Sequence, residues 1–134
     1  MAHKIQISRG AEATQPAVER HFREQLLRYG EVHTVNLLAQ KEHNPELALS
    51  AAYVKAVQTL SDKRALVLPM TNFDYHAECK GGNYENVTIL TRRMSNEFER
   101  FGYFLGDAEG DQNGILLKQQ GVFRTNCVDW WVSC

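Results

Sequence analysis

Twice in the first half of this chain a residue suited to capping a helix stands one or two places before a proline. Each pair leads into an apolar stripe at helical spacing, and each stripe is followed by a β-branched, apolar run. Thr14 is placed to cap and Pro16 suits the first turn of a helix that Gly30 ends, with Val18, Phe22, Leu26 and Tyr29 along one face. Val32 to Leu38 then reads as a strand. Asn44-Pro45 opens the second helix, whose buried face is Leu47, Ala51, Val54, Val57 and Leu60. Ala65 to Met70 reads as a buried strand ended by Pro69. Strands separated by helices cannot close as hairpins, so this order demands an α/β fold with a mixed, largely parallel sheet flanked by helices.

The second half continues the alternation less cleanly. Gly81-Gly82 is a break, and Asn83 is placed to cap a third helix that ends at Gly102, with Val87, Leu90, Met94 and Phe98 on one side. Tyr103-Phe104-Leu105 reads as a short strand and Asp107 to Gly114 as a turn-rich loop. Ile115 to Thr125 reads as a strand that Gln119-Gln120-Gly121 bends. No repeat or low-complexity tract appears. The 134 residues suffice for one domain with a core.

Charge and cysteine usage exclude several classes of function. Fifteen basic and sixteen acidic side chains give a formal net charge of -1, which removes the electrostatic argument for nucleic acid. Lys63-Arg64 and Arg92-Arg93 are the local basic pairs, and solvated surface charge accounts for both. Three irregularly spaced cysteines suit a reducing compartment. No apolar run reaches membrane-spanning length, and Met1 to Ile7 is too polar for a signal peptide. The expectation is a cytoplasmic chain, at most peripheral to a membrane.

Two constellations carry chemistry. The first is Arg124-Thr125-Asn126-Cys127-Val128-Asp129, just past the end of the last expected strand, where parallel sheets place their ligands. A cysteine there serves as a nucleophile if loop amides depress its pKa; a buried inert thiol is the other reading. The second is Asp74, His76, Glu78 and Cys79. His76 and Cys79 have the spacing of two metal ligands, but a site needs two more that no recognised spacing supplies, so no metal is expected. The alternatives are a border to a phosphate site, with Asp74 or His76 orienting groups or water, and hydrogen bonding of the turn itself.

The stretch Gln120 to Asp129 resembles the entry to the catalytic loop of the Sac-domain phosphoinositide phosphatases. Upstream, Val35-Asn36-Leu37-Leu38-Ala39-Gln40-Lys41 is similar to that family's strand and following lysine, and Phe73-Asp74-Tyr75-His76-Ala77-Glu78-Cys79 to another of its segments. Glu85-Asn86-Val87 and Gly102-Tyr103-Phe104 also match. The resemblance runs from about residue 30 to 129, in order. It implies a metal-independent and cofactor-free phosphatase acting on phosphatidylinositol phosphates at an endomembrane surface. Cys127 would be the nucleophile, Asp129 a candidate for proton transfer, and Asn126, Asp74 and His76 residues bordering the phosphate.

The resemblance stops at Trp130. The family's loop continues to an arginine six residues after the cysteine, where this chain has Ser133. Residues 130–134 read as an unrelated tail, so residues 1–134 read as part of a Sac catalytic domain. An arginine meeting developing charge is worth on the order of a thousand-fold in rate. The expectation is therefore a phosphatase fragment with little or no turnover. The alternative is a non-catalytic phosphoinositide- or protein-binding module or a truncation product without function, which would associate through uncovered apolar surface.

Overall fold

In the computed structural model of the chain, residues 5–63, 65–107 and 114–128 are described. The elements are α1 (Ala11–Tyr29), β1 (Glu31–Asn36), α2 (Leu47–Asp62), β2 (Met70–Asn72), α3 (Tyr75–Glu78), α4 (Val87–Arg93), α5 (Ser95–Phe101), β3 (Leu105–Gly106), β4 (Ile115–Leu117) and β5 (Gly121–Asn126). Single 3-10 turns lie at Lys80–Gly82 and Tyr84–Asn86. The principal sheet has the order β2-β1-β5 and is parallel throughout.

Helices cover both faces of that sheet. Phe22, Val32, Val57, Leu60 and Leu68 form the core on the α1 and α2 side. Val35, Phe73, Cys79, Leu90 and Met94 form the core on the other side. The chain leaves β1 toward β2 across the first face and returns from β2 past β1 to β5 across the second. Opposite travel on opposite faces gives both crossovers the same hand. Five of the six β1 residues are buried, as a central parallel strand requires.

The sequence misplaces several boundaries, each for a local reason. α1 begins at Ala11 with Gly10 as its N-cap. Thr14 lies inside it, its amide and hydroxyl both donating to the Gly10 carbonyl. Pro16 is interior too, and the carbonyl its missing N–H would have bonded, that of Glu12, is in the exposed first turn, open to solvent. On α2, Ala51 is exposed and Ser50 is buried in its stead, drawn inward by a bond from Asn36. The second strand begins after Pro69 instead of ending at it. Pro69 has no N–H to give the ladder, but its carbonyl accepts from both the amide and the hydroxyl of Thr34, at 2.8 and 2.9 Å. Val67, expected inside a strand, is 82% exposed.

The expected third helix divides at Met94, which bends out of helical geometry and is buried against Leu90 and Phe73. Asn83 makes no side-chain cap, and Phe98 is about half exposed. The expected strand from Ile115 to Thr125 is two strands. β4 pairs antiparallel with β3 in a separate ribbon, and the Gln120 amide donates to the Phe101 carbonyl where β5 begins. Glycine at 121 is what lets the Phe101 ring lie on β5: a Cβ there would stand 2.5 Å from it. Gly30 is equally constrained, with φ 88° and a would-be Cβ 2.8 Å from the Gln120 carbonyl oxygen.

The ribbon leaves a patch of apolar surface. Tyr103, Phe104, Leu105, Ile115, Leu116 and Leu117 are all exposed. Exposed apolar residues gathered in this way mark a surface suited to association.

Candidate functional site

The three parallel strands end in asparagine at the same level. Asn36 stands opposite Asn72 on one side and Asn126 on the other. Parallel sheets place ligands outside such carboxyl ends, and β1 is the middle strand. Everything in the site hangs on the loop that follows β1.

Four consecutive amides of that loop are each taken by a side-chain oxygen from a different part of the chain. Leu37 N–H donates to Asn126 Oδ1 at 3.0 Å, and Leu38 N–H to Asn36 Oδ1 at 3.3 Å. Ala39 N–H donates to Glu46 Oε2 and Gln40 N–H to Asp74 Oδ2, both at 2.9 Å. A loop leaving a buried strand has amides with no ladder partner, and these four acceptors satisfy them. Carboxylate acceptors make two of these bonds charge-assisted and strong. The loop is thereby tied at once to β5, to β1 itself, to the turn before α2 and to the turn after β2.

Cys127 follows directly on Asn126 and is exposed, one residue past the end of β5. The Asn126 carboxamide is thus anchored through its oxygen to β1's loop, while its Nδ2 makes no bond to another described residue. Asp74 is committed twice: Oδ1 caps α3 through Ala77 N–H at 2.9 Å while Oδ2 holds Gln40. His76 Nε2 lies 3.4 Å from Glu46 Oε1. Asp74 and His76 therefore meet the Cys127 loop through the 37–40 loop and Glu46. Arg124 turns to the α1 side, where Nε donates to His21 Nε2 at 3.2 Å and Nη1 to the Thr125 carbonyl. Asp129 and the residues from Trp130 to Cys134 lie outside the described residues.

The second constellation does not converge. Cys79 is buried in the core beside Phe73 and Leu90, and burial, with the Glu78 charge adding to it, raises its thiol pKa. Among the described residues no three His, Cys, Asp or Glu side chains are grouped to hold a metal. Nor is any helix there long and apolar enough to cross a membrane.

Two residues that matter escaped the sequence reading. Glu46 is a carboxylate only 7% exposed, and the signal for it was its place one residue after Asn44-Pro45, where a helix start leaves donors to satisfy. His33 is the other. It sits in the middle of β1, its Nε2 2.8 Å from Thr71 Oγ1 and its Nδ1 buried with no hydrogen-bond partner, 3.8 Å from Glu97 Oε1. Burial lowers its pKa below the ordinary 6.5; Glu97 opposes the shift and Arg100 assists it. The unfolded chain therefore takes up a proton before the folded one does, and stability falls as pH drops through 6.5 toward the folded value. Urea unfolding at about pH 7.5 and about pH 5.5 should show that loss, and His33→Gln should reduce it. The same pH dependence in both proteins would assign it elsewhere.

Residues 1–80 match the SacI homology domain. The chain is 42% identical over 118 residues to phosphoinositide phosphatase SAC8 of Arabidopsis thaliana, covering 88% of this chain and 18% of that protein. It is 36% identical over 129 residues to Synaptojanin-1 of Rattus norvegicus, covering 96% of this chain and 8% of that one. Phosphatidylinositol-3-phosphatase SAC1-A of Danio rerio is 35% identical over 112 residues, 84% of this chain and 18% of its own length. The chain thus spans less than a fifth of the length of these curated relatives.

Proposed function

The chain belongs to the SacI homology domain family, and on that premise we propose that it carries the nucleophile-bearing part of a phosphoinositide phosphatase site, with Cys127 as the nucleophile. The observation that carries this reading is the position of Cys127: an exposed thiol immediately past β5, beside a loop braced at four consecutive amides. Preorganisation of this kind is what a group attacking phosphorus needs. The substrates would be phosphatidylinositol phosphates presented at an endomembrane surface; the substrate class is supported by relatives that are a phosphoinositide phosphatase and a phosphatidylinositol-3-phosphatase.

The Cys127 thiolate attacks phosphorus. An Sγ–P bond forms as the bond from phosphorus to the inositol oxygen breaks, and the departing alkoxide takes a proton from a carboxylic acid, the role proposed for Asp129. Water then attacks phosphorus, its proton passing to the same carboxylate, and inorganic phosphate leaves with the thiolate restored. Asn126 Nδ2 donates to a phosphate oxygen while its Oδ1 stays on Leu37. Asp74 and His76 act at one remove, by holding the 37–40 loop and Glu46.

Ser133 occupies the position, six residues after Cys127, at which this chemistry uses an arginine. A serine hydroxyl supplies no charge to the equatorial oxygens, so turnover should be about a thousand-fold or more below that of a full-length relative. The measurement is phosphate release from a soluble short-chain phosphoinositide, assayed beside the Arabidopsis relative. Slow release that Cys127→Ser abolishes supports the assignment. Release that survives Cys127→Ser sinks the nucleophile, and release at the relative's rate sinks the argument from Ser133. Lipid binding retained by Cys127→Ser, with no release from either protein, would favour the non-catalytic binding module. The exposed β3–β4 ribbon supports that second reading, since it offers a surface for association.

A further inference from the structure

A cavity lies between α1 and α2, with residues 7–10 along its edge. It encloses about 570 Å³, within the range of small-molecule sites. α1 presents Ala11, Thr14, Gln15 and Val18 to it and α2 presents Leu49, Ala52, Tyr53, Ala56 and Thr59, each set at helical spacing. It shares no residue with the 37–40 loop or Cys127 and does not rest on the phosphatase reading.

Its polar lining is largely spent on the protein's own backbone. Thr14 donates to the Gly10 carbonyl, Thr59 to the Lys55 carbonyl, and Gln15 Nε2 crosses to the Ala56 carbonyl at 3.0 Å. What these bonds leave facing the cavity is mostly carbon. The lining contains two formal charges, Arg9 and Lys55, both positive, and no carboxylate. Neither cation forms an ion pair among the described residues. Tyr53 gives the lining its ring, while its hydroxyl is buried away from solvent and so does not open onto the cavity. An apolar chamber whose only formal charges are two unpaired cations selects an occupant with an apolar body and an anionic end.

We propose that this cavity binds a single acyl chain bearing an anionic head, the chain lying among Val18, Leu49, Ala52 and Ala56 and the head meeting Arg9 and Lys55. A carboxylate from a fatty acid and a phosphate from a single-chain lipid share that chemistry. A neutral ester of the same chain lacks it.

The test is displacement of a fluorescent polyene fatty acid from the full chain by oleate, by lysophosphatidate and by methyl oleate. Saturable binding is expected, with methyl oleate displacing the probe at least about tenfold more weakly than the better of the two anions. Whichever anion is stronger identifies the head group. Ala56→Trp fills the cavity and should weaken binding about tenfold or more; Ala52→Leu is a milder filling that should weaken it in the same direction, each checked for folding by circular dichroism. Arg9→Glu with Lys55→Glu should remove the preference for the anions and leave methyl oleate unchanged. No saturable binding would overturn the proposal. So would binding that both filled variants retain, which would put the chain elsewhere, for instance on the β3–β4 ribbon. Equal affinity for acid and neutral ester would overturn the role of the cations.

Discussion

Asn36→Leu is expected to destabilise the fold by about 4 kcal/mol, although leucine has the same number and branching of side-chain heavy atoms. Asn36 is fully buried. Its Nδ2 donates to Ser50 Oγ at 2.8 Å and to Asn72 Oδ1 at 3.0 Å, and its Oδ1 accepts from Leu38 N–H. Leucine removes three bonds and strands two buried partners, the Ser50 hydroxyl on α2 and the Leu38 amide in the site loop, while Asn72 on β2 is exposed and can turn to water. Each stranded group costs about 1–3 kcal/mol, so the total is large against the 5–15 kcal/mol that holds a domain together. Asn126→Leu is the contrast. It loses one bond, at a half-buried edge position, and should cost about 1 kcal/mol. Urea midpoints of the two variants decide the matter. If they are equal, the asparagine row is not organised around β1. Alkylation of Cys127 should also change in Asn126→Leu, because the residue before the thiol is released from Leu37.

The second large effect is expected at Phe22. It is 2% exposed and fills the space between α1 and the sheet, against Val32, Val57, Leu60 and Leu68. Phe22→Ala should cost about 3–5 kcal/mol, the lost transfer of a ring plus the cavity that remains. Leu27→Ala on the same helix removes a side chain that is 88% exposed and should change stability by less than about 0.5 kcal/mol. Thermal unfolding of the pair reads the difference directly. A small loss at Phe22 would mean that α1 docks loosely and collapses onto the gap.

Which residues faced inward was mostly legible from periodicity. Of the stripe, Val18, Phe22 and Leu26 do pack into the core against the sheet, with Tyr29 half-buried beyond them, and Val57 and Leu60 do close the core beneath α2. Periodicity works there because one helix face meets one sheet face. Ala51 failed because a polar contact overruled it: Asn36 draws Ser50 inward. The strand boundary at Pro69 failed for a related reason. Proline's missing donor was read as a stop, whereas its carbonyl is what Thr34 grips on entering the ladder. The break between β4 and β5 depends on the Phe101 ring lying against Gly121, a contact between residues far apart in order.

Local order along the chain determined the class of fold, the parallel character of the sheet and the place of Cys127 past its last strand. Those follow from short-range rules: caps, spacing, and the impossibility of a hairpin across an intervening helix. Only the tertiary structure decided what Asn36, Asn126, Glu46 and Asp74 do. Their oxygens meet four successive amides of one loop from four separate stretches of chain. A hydrogen bond needs its partners within about 3 Å; only the Asn36–Leu38 bond, two residues apart, is local, and nothing in the sequence spacing of the other three pairs specifies that distance.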